Sequence, residues 1–109
     1  VRARHTRHVP GEMNKLEKSY AEYLEQRKLI GEVALVRFEQ HKLKLADRTF
    51  YTPDFGVVFP DGLMEFHEVK GFWEEDARLK IKVAAEQFPE YLFIGVKWDK
   101  RQGWQYETF

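Results

Sequence analysis

The sequence predicts an α/β fold of the α+β type, with one mixed β-sheet and a helix on each face. Three observations carry this. Apolar residues recur at helical spacing near the start, and an acid-led segment before Pro89 reads as a second helix. The stretches between and after these segments are β-rich and punctuated by Gly and Pro. One of them, Tyr91-Leu92-Phe93-Ile94-Gly95-Val96, is apolar almost throughout, as expected of a strand covered on both faces. The predicted order is α-β-β-β-β-α-β-β. A chain of 109 residues makes one ordinary domain. We read residues 12–109 as that domain and residues 1–11 as a basic arm.

The first helix is predicted from Glu12 to Ile30, because Met13, Leu16, Tyr20, Tyr23 and Leu24 fall on one side. Gly31 suits its C-terminal cap, and Arg27 and Lys28 suit the negative end of its dipole. Val33 to Phe38 and Leu43 to Leu45 read as strands. Thr49 to Phe59 reads as one aromatic-rich strand, Pro60-Asp61-Gly62 as a turn, and Leu63 to Lys70 as the strand returning from it. Glu74-Glu75-Asp76 opens the second helix with acids at the positive dipole end, and Pro89 stops it near Phe88. Gly103 to Phe109 is predicted as an edge strand.

Composition removes several kinds of chemistry. The chain has no cysteine, which excludes disulfides, thiolate metal sites and a cysteine nucleophile. No apolar run approaches the ~18 residues of a membrane span and no signal-peptide core follows the start, so a cytoplasmic, membrane-free protein is expected. No Gly-rich phosphate loop points to a nucleotide cofactor, and Ser19 is the only serine. Acids and bases balance at 18 each, yet residues 1–11 hold Arg2, Arg4 and Arg7 with no acid. Such an arm can follow a phosphate backbone, or can be a solvated terminus.

The informative residues are Tyr51-Thr52-Pro53-Asp54 and Glu68-Val69-Lys70. Phosphodiester hydrolysis uses a divalent cation held by oxygen ligands and gains from a cation beside the attacking water. Asp54, Glu68 and Lys70 supply these parts if they share a face. Residues 68 and 70 do so by strand periodicity. A three-residue loop of Pro60, Asp61 and Gly62 sets Phe59 opposite Leu63 and therefore Asp54 opposite Glu68. A two-residue loop would set Asp54 opposite Val69 and break the cluster. The plainer alternative is a surface ion pair between Glu68 and Lys70. A third acid is expected from the first helix: Glu17 flanks the apolar stripe, whereas Glu22 and Glu25 point away. His67 faces away from Glu68 and reads as a packed or solvent histidine, not a ligand. His5 and His8 are too isolated for a metal site. Phe72 and Trp73 can stack on bases or fill the gap between strand and helix.

Tyr51-Thr52-Pro53-Asp54-Phe55 followed by Glu68-Val69-Lys70-Gly71, behind a helix carrying Glu17 and ahead of a lysine-bearing helix, resembles the PD-(D/E)XK nuclease superfamily. It is most similar to small phage- or prophage-encoded members, and shares its plan with junction resolvases and transposition nuclease subunits. The resemblance spans roughly residues 12–97 and implies a restriction-endonuclease-like core acting in a bacterial or phage-infected cell. It implies Mg2+, with Mn2+ able to substitute, held by Asp54, Glu68 and the Val69 carbonyl, with Glu17 ligating directly or through water. It further implies that Lys70 orients or deprotonates the water and stabilises developing charge, and that Lys80 or Lys82, which point in different directions, meets the phosphates. DNA is the implied partner, cut with structural selectivity or weak sequence specificity. Cutting both strands would call for a homodimer. The alternatives are a catalytically silent DNA-binding or assembly module of the same fold, and an RNA-directed nuclease.

Overall fold

The computed structural model describes residues 9–109, so Arg2, Arg4 and Arg7 of the arm, with His5 and His8, lie outside the described residues. The elements are α1 (Lys15–Leu29), β1 (Leu35–Phe38), β2 (Leu43–Ala46), β3 (Thr49–Tyr51), β4 (Phe55–Val58), β5 (Met64–Val69), α2 (Glu75–Gln87), β6 (Leu92–Asp99) and β7 (Gly103–Thr108). Five strands form one mixed sheet in the order β1-β4-β5-β6-β7. Only β5 and β6 run parallel, joined by α2 as the crossover. Among the described residues no helix is long and apolar enough to cross a membrane.

Period-two alternation in the central strands builds two cores, one under each helix. Phe55, Val57, Val69, Ile94 and Val96 pack with Tyr20 and Leu24 of α1. Phe66 and Phe93 point the other way, to Ile81 and Ala84 of α2. The expected helix on each face is therefore present. So is the buried β6, with Phe93 to Val96 all covered, and the edge position of β7.

Two predicted elements differ. The helix expected from Glu12 starts at Lys15, because Asn14 is its N-cap. The Asn14 side chain accepts from the Glu17 N–H at 2.7 Å, and the Glu17 carboxylate accepts from the Asn14 N–H at 2.9 Å. This capping box is written in the sequence as Asn14-x-x-Glu17. The other end is as expected. Gly31 (φ 85°) closes the helix, and the Glu32 and Gly31 N–H groups reach back to the Arg27 and Lys28 carbonyls.

The second difference matters more. The single strand expected over Thr49 to Phe59 is two strands in two sheets, β3 and β4, broken at Thr52-Pro53-Asp54. Pro53 has no N–H to give a ladder, and it is fully buried at the corner where the chain turns into the main sheet. Upstream of it, β2 and β3 pair as a separate two-stranded ribbon. Leu45 and Tyr51 from the ribbon's inner face pack on α2, and the Gln87 amide donates to the Leu45 carbonyl at 2.7 Å.

Trp73, just after β5, fills the gap between strand and helix. A Cβ at Gly95 would lie 2.9 Å from its ring and 2.9 Å from Phe109. Phe72 instead is 76% exposed. Gly95 pairs with Glu68, so the Trp73 contact lies beside the acid pair. Gly95→Ala should push two rigid rings apart and cost about 1–3 kcal/mol. A drop in Tm of about 5–15 °C is expected by calorimetry; an unchanged Tm would mean the rings relax freely.

Candidate active site

The turn between β4 and β5 sets the site. The Gly62 N–H donates to the Phe59 carbonyl at 2.8 Å, and the Phe59 N–H to the Leu63 carbonyl at 2.9 Å. Gly62 takes the left-handed conformation (φ 88°) that such a loop needs. From there the ladder pairs Val58 with Met64 and Phe55 with His67. One step further this register brings Asp54 opposite Glu68, the arrangement the three-residue loop predicts.

Beyond the last regular pair, side chains continue the ladder. The Val69 N–H donates to Asp54 Oδ2 at 2.8 Å, and the Asp54 N–H donates to Glu68 Oε1 at 3.3 Å. Tyr51 adds its hydroxyl to Glu68 Oε1 at 2.8 Å. The tyrosine next to the Pro-Asp pair is therefore an anchor for the second acid, a role that sequence spacing does not reveal. Lys70 Nζ lies 3.4 Å from Glu68 Oε2, an ion pair whose acid is buried and not at the surface, where the plainer reading puts it.

Both acids are buried, at 6% and 8% exposure. Burial, and then the charge of Glu68, pushes the Asp54 carboxyl from 3.8 up to about 9. Burial also raises Glu68, against the opposing pull of Lys70 and the Tyr51 hydroxyl. For Lys70, burial works against the charged form, but Glu68 and Asp54 outweigh it and hold the ammonium above its ordinary value. An ammonium held this firmly is a donor and a positive charge. In the metal-free protein Lys70 is therefore a charged partner of the acid pair.

These residues open on a cavity of about 830 Å³. One wall is the first turn of α1 with Glu17, another is α2 with Ala77 and Lys80, and Lys42 and Phe50 at the ribbon end form a third. Glu17 is 5% exposed and turned toward this space, as the helix wheel predicts, while one oxygen serves the capping box. Lys80 lines the cavity. Lys82 does not; its charge acts on Glu107 of β7. His67 lies on the opposite face, buried between the Tyr20 hydroxyl at 2.6 Å and Glu65 at 2.8 Å.

The donor set is oxygen throughout, which suits Mg2+ or Mn2+. Among the described residues no three acidic or histidine side chains converge closely enough to hold one ion. Glu17 thus shares the cavity without closing on the Asp54–Glu68 pair. Two carboxylates are enough for Mg2+, which keeps several waters and takes the rest of its shell from substrate oxygens. The chemistry of the pair is compatible with such an ion, and Glu17 stands on another wall of the same cavity.

Glu17→Gln tests that place. Glutamine preserves the shape and can still accept from the Asn14 N–H, so Tm should move by no more than about 2 °C. The metal-dependent cutting that the resemblance implies should fall about tenfold or more. Full activity would mean that another acid does this work. Neither a protein-family model, nor a curated protein, nor a solved structure matches the chain.

Proposed function

We propose that the chain is a Mg2+-dependent endonuclease that hydrolyses DNA phosphodiester bonds on a restriction-endonuclease-like, PD-(D/E)XK core. The observation that carries this reading is the pairing of two buried carboxylates, Asp54 and Glu68, with Lys70 beside them at the edge of an open cavity. As an apo arrangement it is unfavourable, since two acids across a ladder repel and burial penalises both. Such a pair is what a cation-dependent site needs and what a purely structural strand end does not.

Mg2+ or Mn2+ bound there supplies charge neutralisation at the phosphate and an acidified water. Asp54 and Glu68 would hold it with the Val69 carbonyl, and the Tyr51 hydroxyl and Val69 N–H fix the two carboxylates for that purpose. Lys70, with its ammonium 3.4 Å from Glu68 Oε2, would hold the attacking water and offset the developing phosphate charge. Glu17 on the α1 wall would orient water, and Lys80 on α2 would meet the phosphate, since both line the cavity. By the resemblance, cutting is structurally selective or weakly sequence-specific.

Nicking of supercoiled plasmid by the purified chain is the test, with Mg2+ and with chelator. Metal-dependent relaxation that a duplex, single-strand, flap and four-way-junction panel resolves into a preference is the expected result. Metal-independent behaviour, or binding without any cleavage, would favour the silent module instead.

A further inference from the structure

We infer that the β2–β3 ribbon is a docking surface for duplex nucleic acid; this rests on the nuclease reading and adds the form of the substrate. The ribbon stands apart from the main sheet, with Leu45 and Tyr51 turned inward onto α2. Lys44 and Phe50, paired across it, face solvent, as do Lys42 before it and Arg48 at its tip. Three cations thus share the outer surface with a single acid, Asp47. None of the three forms an ion pair among the described residues. In a chain whose charges balance overall, this is a local positive surface matched to phosphate.

Two further observations tie it to the site. Lys42 and Phe50 line the cavity that holds Asp54 and Glu68, so a strand lying along the ribbon passes directly over the acid pair. Phe50 is 41% exposed with the Lys42 ammonium 4.5 Å from its ring centre, an apolar patch carrying a cation. Arg48 sits in the left-handed region (φ 54°) of a two-residue turn, a place glycine or asparagine fills without strain. Arginine there is locally unfavourable, and its presence points to a task at the tip. Duplex is favoured over single strand because the major groove admits a two-stranded ribbon, whose edges can then meet both phosphate walls.

The test is binding of the full chain to a labelled duplex of about 20 base pairs, and to one of its strands, across a salt series in chelator. For K42A/K44A/R48G the slope of log K against log salt should fall by about 2–3 on duplex, at about 0.9 per phosphate contact. Arg48→Gly alone should lower it by about 1, with Tm at or above that of the wild-type protein, which separates contact from folding. An unchanged duplex slope in both variants overturns the inference, and so does a loss confined to single strand. Wild-type plasmid nicking that persists in that case leaves the nuclease reading standing and removes only the ribbon. Absence of both binding and nicking in the wild-type protein removes both.

Discussion

Asp54→Asn should melt higher than the wild-type protein at neutral pH and cut nothing. In the unfolded chain Asp54 is ionised above 3.8; in the fold, burial and Glu68 hold its proton until about 9. Between those values the folded state binds more protons than the unfolded state, so stability falls as pH rises and levels off above about 9. Asparagine removes that penalty, and its carbonyl can still accept from the Val69 N–H that now meets Asp54 Oδ2 at 2.8 Å.

The gain should be near zero at pH 4 and grow with pH. Near pH 7 it should reach on the order of 2–4 kcal/mol. For a domain this size that is a rise in Tm on the order of 10 °C or more. The same substitution removes one of two carboxylates offered to the metal. The Mg2+-induced rise in Tm, seen in the wild-type protein by mass action, should vanish. Cleavage should drop by about 10³ or more. Calorimetry from pH 4 to 9, with and without Mg2+, reads all of this. A variant less stable at every pH would mean the acid pair is not under strain, and the metal-site assignment would lose its physical basis.

What was legible in the sequence follows the range of the interactions. The β4–β5 register was legible because Pro60-Asp61-Gly62 is local turn chemistry, and a period of two carries it to Asp54 and Glu68. The burial of His67 follows from the same parity, but its partners do not. Tyr20 is 47 residues away and reaches it only once α1 has docked. Tyr51 holds Glu68 from 17 residues upstream, across the corner at Pro53. That corner was itself signalled by a proline that cannot serve a ladder. Nothing in Leu43 to Tyr51 says that the pair leaves the main sheet, because alternation looks the same whether the inner face meets a sheet or a helix. The capping box at Asn14 and Glu17 was readable and gives Glu17 a structural duty beside its place in the cavity. Wheel arithmetic separated Lys80 from Lys82, but only the docking of α2 decides which one faces the acids.

Lys70→Ala should separate binding of metal from chemistry. Its ammonium is 3.4 Å from Glu68 Oε2 and partly open to solvent, so it offsets charge on the acid pair without being a ligand. Without it, Glu68 and Asp54 lose their nearest opposite charge, and the apo protein should be destabilised by about 1–2 kcal/mol. Both acids then hold their protons more firmly, so the metal response should be compared at about pH 9, where protons compete least. There the Mg2+-induced rise in Tm should equal or exceed that of the wild-type protein, because a cation that repels the metal has gone. Cleavage should nevertheless fall by about 10²–10³, as expected for a group whose charge counts mainly in the transition state. Lys70→Arg restores the charge without the point geometry, so it should recover stability and little of the rate. Wild-type cleavage by Lys70→Ala would refute its assignment to the chemistry. A metal response lost together with the rate would make Lys70 a structural partner of Glu68 and nothing more.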